Sequence, residues 1–96
     1  MKNLKEVIQD INVAYVDVRT KQEYDSGHIS GSMHMPLDEL LGRMDELRNI
    51  SGPLVLYCRS GNRSGMALYY LQEAGFTDLV NGGGYDDLSC LLSEQK

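Results

Sequence analysis

Seven consecutive residues, Cys58-Arg59-Ser60-Gly61-Asn62-Arg63-Ser64, bring together a thiol, two guanidinium groups, two hydroxyls and a glycine. The chemistry such a set supports is nucleophilic attack by sulfur in a site that holds an anion. A short loop closing on a helix N-terminus turns several backbone N–H groups inward, and the helix dipole adds partial positive charge. That concave array favours a negative atom at its centre. Arg59 and Arg63 add formal charge beside it, so Cys58 is expected to ionise more readily than an ordinary thiol. A nucleophilic cysteine needs this near neutral pH. A cysteine ending a buried strand is most often a small hydrophobe, but packing explains neither arginine.

The charge distribution sets this segment apart. The 96 residues carry 9 Lys or Arg against 14 Asp or Glu, a formal charge of −5. Residues 1–56 hold six basic and nine acidic side chains, residues 57–72 two arginines and no carboxylate, and residues 73–96 one lysine and five carboxylates. The loop is a small basic island in an acidic chain, suited to drawing in a small anion. The acidic balance argues against nucleic acid as a partner, and no apolar run reaches the roughly 18 residues of a membrane span. Cys58 and Cys90 are too few for a disulfide framework and form no C-x-x-C pair. A free thiol in a reducing, cytoplasmic setting is the expectation. His28 and His34 lack the neighbouring ligands of a metal site. No linker or repeat interrupts residues 1–96, so one domain is expected.

The elements that must position the loop follow from hydrophobic spacing. Leu4, Val7, Ile8 and Ile11 share one face of a first helix. Residues 13–18 suit a buried strand, residues 22–25 a short helical turn, and residues 32–34 a short strand. A helix is predicted over residues 37–47, with Leu37, Leu40, Leu41, Met44 and Leu47 on one face. Residues 54–57 form a fully buried strand with Cys58 at its C-terminal end. Ala67, Tyr70, Leu71 and Ala74 mark the stripe of the next helix, with Ser64 as its N-cap and Gly75 in the left-handed position beyond it. Leu79-Val80 reads as a strand, Asn81-Gly82-Gly83-Gly84 as a turn, and residues 85–92 as a last helix. Alternating strands and helices predict an α/β fold, with a mainly parallel sheet and helices on both faces. Ligands of such sheets sit beyond the carboxyl ends of the strands, where Asp17-Val18-Arg19 and Cys58 both fall.

Several blocks, in order, resemble rhodanese-like domains. They are Asp17-Val18-Arg19, Glu23-Tyr24, Gly27-His28-Ile29-Ser30-Gly31-Ser32 and Met35-Pro36. The run from Val55 through Cys58 to Ser64 is similar to that family's active-site loop. Asn81-Gly82-Gly83-Gly84-Tyr85 is similar to its closing segment, where tryptophan commonly stands in place of tyrosine. The resemblance implies a sulfurtransferase. Cys58 would take a sulfane sulfur from a donor such as thiosulfate, become a persulfide, and pass the sulfur to cyanide or a thiol. Arg59, Ser60, Gly61, Asn62, Arg63 and Ser64 would bind the substrate, Asp17 and Arg19 would support, and no metal or organic cofactor would be required. A sulfur-relay protein is a further partner of this kind.

Two other readings stand beside it. One is a sulfur-carrier or protein-binding module without turnover. The other is a phosphatase or arsenate reductase, but Cys58 and Arg63 are spaced C-x4-R, where cysteine phosphatases have C-x5-R and a wider cradle. Asp17 and Arg19 are expected to be structural, Arg19 pairing with a carboxylate such as Glu23 and Asp17 anchoring loop N–H groups. His28 is expected to hold its glycine-flanked turn, Cys90 to serve packing rather than to resolve a persulfide, and Tyr85 to line the rim of the site.

Overall fold

The computed structural model describes residues 3–94. Ten elements follow in order: α1 (Leu4–Val7), β1 (Ala14–Asp17), α2 (Lys21–Asp25), β2 (Met33–His34), α3 (Leu37–Leu40), α4 (Met44–Arg48), β3 (Leu54–Cys58), α5 (Asn62–Glu73), β4 (Leu79–Gly84) and α6 (Tyr85–Ser93). The four strands form one parallel sheet in the order β2-β1-β3-β4. The α/β architecture expected from the alternation is present.

Period-two alternation along β3 divides the core in two. Leu54, Leu56 and Cys58 pack with Val16, Leu40, Leu47, Ala67 and Leu71, beneath α3, α4 and α5. Val55 and Tyr57 face the other way, against Val7, Ile29 and Leu88, beneath α1 and α6. Every residue of β3 is buried, as a central parallel strand covered on both faces must be. Burying each large apolar side chain contributes about 1.5–3 kcal/mol. β3 therefore presents Cys58 from a strand buried along its whole length.

Four expectations change. The first helix is a single turn, and Ile11 lies 94% exposed. The Asp10 carboxylate accepts the Asn12 N–H at 2.8 Å and the Asp10 carbonyl accepts that of Val13, and such local bonds compete with helix continuation. The helix predicted over residues 37–47 is two helices, broken around Gly42, so Leu41 leaves the apolar stripe and is 65% exposed. Glycine disfavours a helix interior by about 1 kcal/mol, and Arg43 fastens the break by donating to Glu39, Glu46 and the His34 carbonyl. Helix α5 begins at Asn62 with Gly61 as N-cap, not with Ser64, which is buried in its first turn. Residues 81–84 belong to β4 rather than to a turn. The glycines there serve close packing: a Cβ on Gly84 would stand 2.5 Å from the Arg59 carbonyl oxygen, and one on Gly82 2.7 Å from Val55. Gly75 does follow α5 with φ +97°.

Candidate active site

Cys58 ends β3 with no solvent exposure. The chain leaves the strand, reverses at Gly61 (φ +95°, ψ −8°) and enters α5 at Asn62. Only glycine takes that backbone conformation without strain. The reversal turns the Gly61 N–H onto Cys58 Sγ at 3.0 Å, and the Ser64 N–H reaches the same sulfur at 3.4 Å. The Ser64 hydroxyl lies 3.4 Å from it. Burial pushes the Cys58 thiol up, but bonds from the Ser64 hydroxyl and from the Ser64, Ser60 and Gly61 amides outweigh burial and hold it below its ordinary value. The sequence-based argument placed this effect in the inward amides of the loop together with the two arginines; the hydrogen bonds of the loop carry it, and the arginines are not among its causes.

The arginines have separate fates. Arg63 donates both terminal nitrogens to Glu23, at 2.7 and 2.9 Å. The pairing holds the Glu23 carboxyl at about 2, with the Arg63 bonds as the largest cause. One of the two positive charges that the sequence assigned to the loop is thus paired with a carboxylate from α2. Glu23 also closes a capping box with Thr20, so one carboxylate anchors the start of α2 and ties it to α5. Arg59 is exposed and makes no ion pair among the described residues. Ser60 is exposed as well, and Asn62 opens α5 on its exposed side.

Asp17 and Arg19 are brought together, which corrects the pairing of Arg19 with Glu23. Arg19 Nε and Nη2 donate to the Asp17 carboxylate at 2.9 and 2.6 Å, and the Arg19 backbone N–H joins them at 2.9 Å. Asp17 therefore anchors the N–H of Arg19 itself. Arg19 Nη2 also donates to the Gly27 carbonyl at 2.6 Å, and its guanidinium lies 4.6 Å from the Tyr85 ring centroid. The pair is buried and holds the turn at residues 26–28 against α6. His28 does hold that turn: Nδ1 lies 2.9 Å from the Tyr24 carbonyl, and its ring stacks on Tyr24 at 3.7 Å. Among the described residues no cluster suits a metal ion, and Cys90 is an exposed free thiol on α6.

Two contributors escaped sequence reasoning. Glu23 stands 40 positions from Arg63; its mark in the sequence is the Thr-x-x-Glu capping box. Asn81 was absorbed into a supposed turn. Its side chain donates to the Gly61 carbonyl at 3.1 Å and accepts from the Ser64 hydroxyl at 2.7 Å and the Gly83 N–H at 2.9 Å. The single Ser64 hydroxyl proton thus has two claimants, the Asn81 carbonyl and the Cys58 sulfur. With the thiol protonated, Ser64 donates to Asn81 and faces sulfur with a lone pair; once the thiolate forms, rotating that proton onto sulfur stabilises it.

A parallel α/β sheet thus carries a cysteine at the end of an inner strand, wrapped by a loop whose amides point at the sulfur. Residues 1–89 match the rhodanese-like domain, and the chain belongs to that family. It is 32% identical over 76 residues to the thiosulfate sulfurtransferase PspE of Escherichia coli K12, covering 78% of this chain and 73% of that protein. It is 39% identical over 71 residues to the uncharacterized protein YqhL of Bacillus subtilis, covering 73% of this chain but only 56% of YqhL. A solved structure of an E. coli rhodanese with anions superposes with a TM-score of 0.72 at 32% identity, over 78% of this chain and 89% of that one.

Proposed function

We propose that the chain is a sulfurtransferase of the thiosulfate type, with Cys58 as its nucleophile. The observation that carries the reading is the sulfur at the focus of the Gly61 and Ser64 amides, at 3.0 and 3.4 Å. The Cys58 thiolate attacks the outer sulfur of thiosulfate; the new S–S bond forms as the old one breaks, and sulfite leaves. The terminal sulfur of the resulting persulfide bears the negative charge, and inward N–H groups are the donors such a charge needs. Cyanide or a thiolate then attacks that terminal sulfur, and Cys58 departs as thiolate. Neither half-reaction requires a general base, which fits histidines engaged with backbone carbonyls.

Cys58 is closed to solvent at rest, so the donor is delivered through local parting of the loop side chains. The kinship with PspE supports the donor class, and two free cysteines suit a reducing cytoplasm. The test is mass spectrometry after exposure to thiosulfate. The protein is expected to gain the mass of one sulfur, and Cys58→Ser to lose both that adduct and cyanide-dependent turnover. Full turnover in Cys58→Ser would overturn the mechanism.

A further inference from the structure

Asn81 stands in β4 opposite Leu56, so its side chain leaves the sheet on the face that Leu56 shares with Ala67 and Leu71 of α5. Directly after it the pairing slips, and Gly83 stands opposite Tyr57. The Gly83 N–H turns back onto Asn81 Oδ1 at 2.9 Å. The amide can point only one way: the Gly61 carbonyl, 3.1 Å off, requires its NH2 end, and the Gly83 N–H requires its oxygen. Oδ1 has one lone pair left, and the Ser64 hydroxyl meets it at 2.7 Å. The Cys58 sulfur lies 3.4 Å from that same hydroxyl. Ser64 and Cys58 are both without solvent exposure, so the Ser64 proton chooses between these two acceptors.

The charge on Cys58 Sγ changes at each step of sulfur transfer. It is full in the thiolate, lost when Sγ becomes the inner sulfur of the persulfide, and restored when an acceptor takes the outer sulfur. A hydrogen bond to a charged acceptor is about twice as strong as one to a neutral acceptor. A thiolate therefore draws the Ser64 proton from the neutral amide of Asn81, and an uncharged inner sulfur does not. We propose that Asn81 is a positioning residue for both half-reactions, drawing the Ser64 proton off Sγ as sulfur is taken up and yielding it as Sγ leaves. The proposal rests on the sulfurtransferase reading and deepens it. In uptake the electron pair of the thiolate forms the new S–S bond, sulfite leaves, and the Ser64 O–H swings onto Asn81. In discharge cyanide or a thiolate attacks the outer sulfur, Sγ keeps the electron pair of the broken bond, and the O–H swings back. The proton stays on the Ser64 oxygen throughout, and no outside oxidant, reductant or base enters.

The test reads Cys58 alkylation against pH and, in single turnovers above its midpoint, the rates of sulfur gain from thiosulfate and of sulfur loss to cyanide. Asn81→Ala commits the Ser64 proton to sulfur. The midpoint is expected to fall by about half a pH unit, uptake to slow about twofold and discharge to quicken about twofold, as a weaker nucleophile and better leaving group requires. Asn81→Asp keeps the proton on its carboxylate, so the midpoint is expected to rise and discharge to slow. If Asn81 were merely structural, both substitutions would let the loop amides drift from sulfur. Both would then raise the midpoint and slow both half-reactions, which would overturn the proposal. A double-mutant cycle removes the shared link. In a Ser64→Ala background, Asn81→Ala is expected to move the midpoint by less than about 0.1 of a pH unit; the same shift with and without the hydroxyl would overturn the proposal. Should Asn81→Ala fail to fold, Asn81→Asp in the two backgrounds carries the cycle: a smaller rise without the hydroxyl is expected, and an equal one overturns the proposal. Failure of wild-type Cys58 to gain sulfur would instead overturn the sulfurtransferase reading, so the two failures are distinct.

Discussion

Two ion pairs frame the cysteine loop, and they are built on opposite plans. Asp17–Arg19 is local in sequence, with side-chain exposures of 0% and 7%, and locked by four further bonds that involve the backbone and the carboxylate. Glu23–Arg63 joins residues 40 positions apart, and its partners are 27% and 33% exposed. The inner pair fixes where β1 ends and how the turn at residues 26–28 sits against α6. The outer pair staples α2 to the start of α5. The difference teaches that charge near this sulfur is used first as scaffold. What polarises the thiol is the Ser64 hydroxyl together with the backbone amides of the loop.

Breaking the inner pair is expected to cost most. Asp17→Asn leaves the Arg19 guanidinium buried without its counter-charge, a loss of about 3–5 kcal/mol, read by urea denaturation. An uncharged link of the loop comes next. Asn81→Ala removes partners from Ser64, Gly61 and Gly83 and is expected to cost about 2 kcal/mol. It also frees the Ser64 proton for sulfur, so the midpoint of Cys58 alkylation against pH should move down.

The outer pair sharpens the contrast. Glu23→Gln is expected to cost about 1 kcal/mol or less, because both partners are reached by solvent. Its carboxyl falls from 4.5 to about 2 on folding, so its contribution is complete above pH 4.5 and fades as pH falls through about 2. Stability curves of the wild type and Glu23→Gln should therefore differ at pH 6 and converge on acidification. Arg59, paired with neither, supplies the zero of the comparison: Arg59→Gln should change stability by less than about 0.5 kcal/mol, measured by the same denaturation.

The readability of the molecule follows the same division. β3, the stripe of α5 through Ala67 and Leu71, and α6 were legible, because an unbroken apolar run or a 3.6-residue repeat is a local signal. Cys58 at a strand end before a glycine-bearing, doubly basic loop was legible for that reason too. Glu23 was not matched to Arg63, since nothing local says which of nine upstream carboxylates folds across to α5. Ser64 was misplaced as a cap because serine commonly caps helices; here the start is set by Gly61, whose left-handed turn aims its amide at sulfur. Asn81 was hidden by the glycines after it, which usually signal a turn but here let a strand pass close beneath Arg59. Leu41 and Ile11 fitted their apolar stripes by spacing alone, and Gly42 and Asp10 ended both helices before those positions.

The irregularity in β4 has a consequence beyond the loop. The pairing of β3 with β4 slips between Leu56 and Tyr57, where Gly82 is passed over and Gly83 takes the next place. β4 is an edge strand, and the opposite edge, β2, has only two residues. An outer rim that is bulged on one side and two residues long on the other offers no flat row of free N–H and C=O groups to a strand from another molecule. The glycines that let the chain pass beneath Arg59 thereby also guard the sheet against growing by edge-to-edge addition.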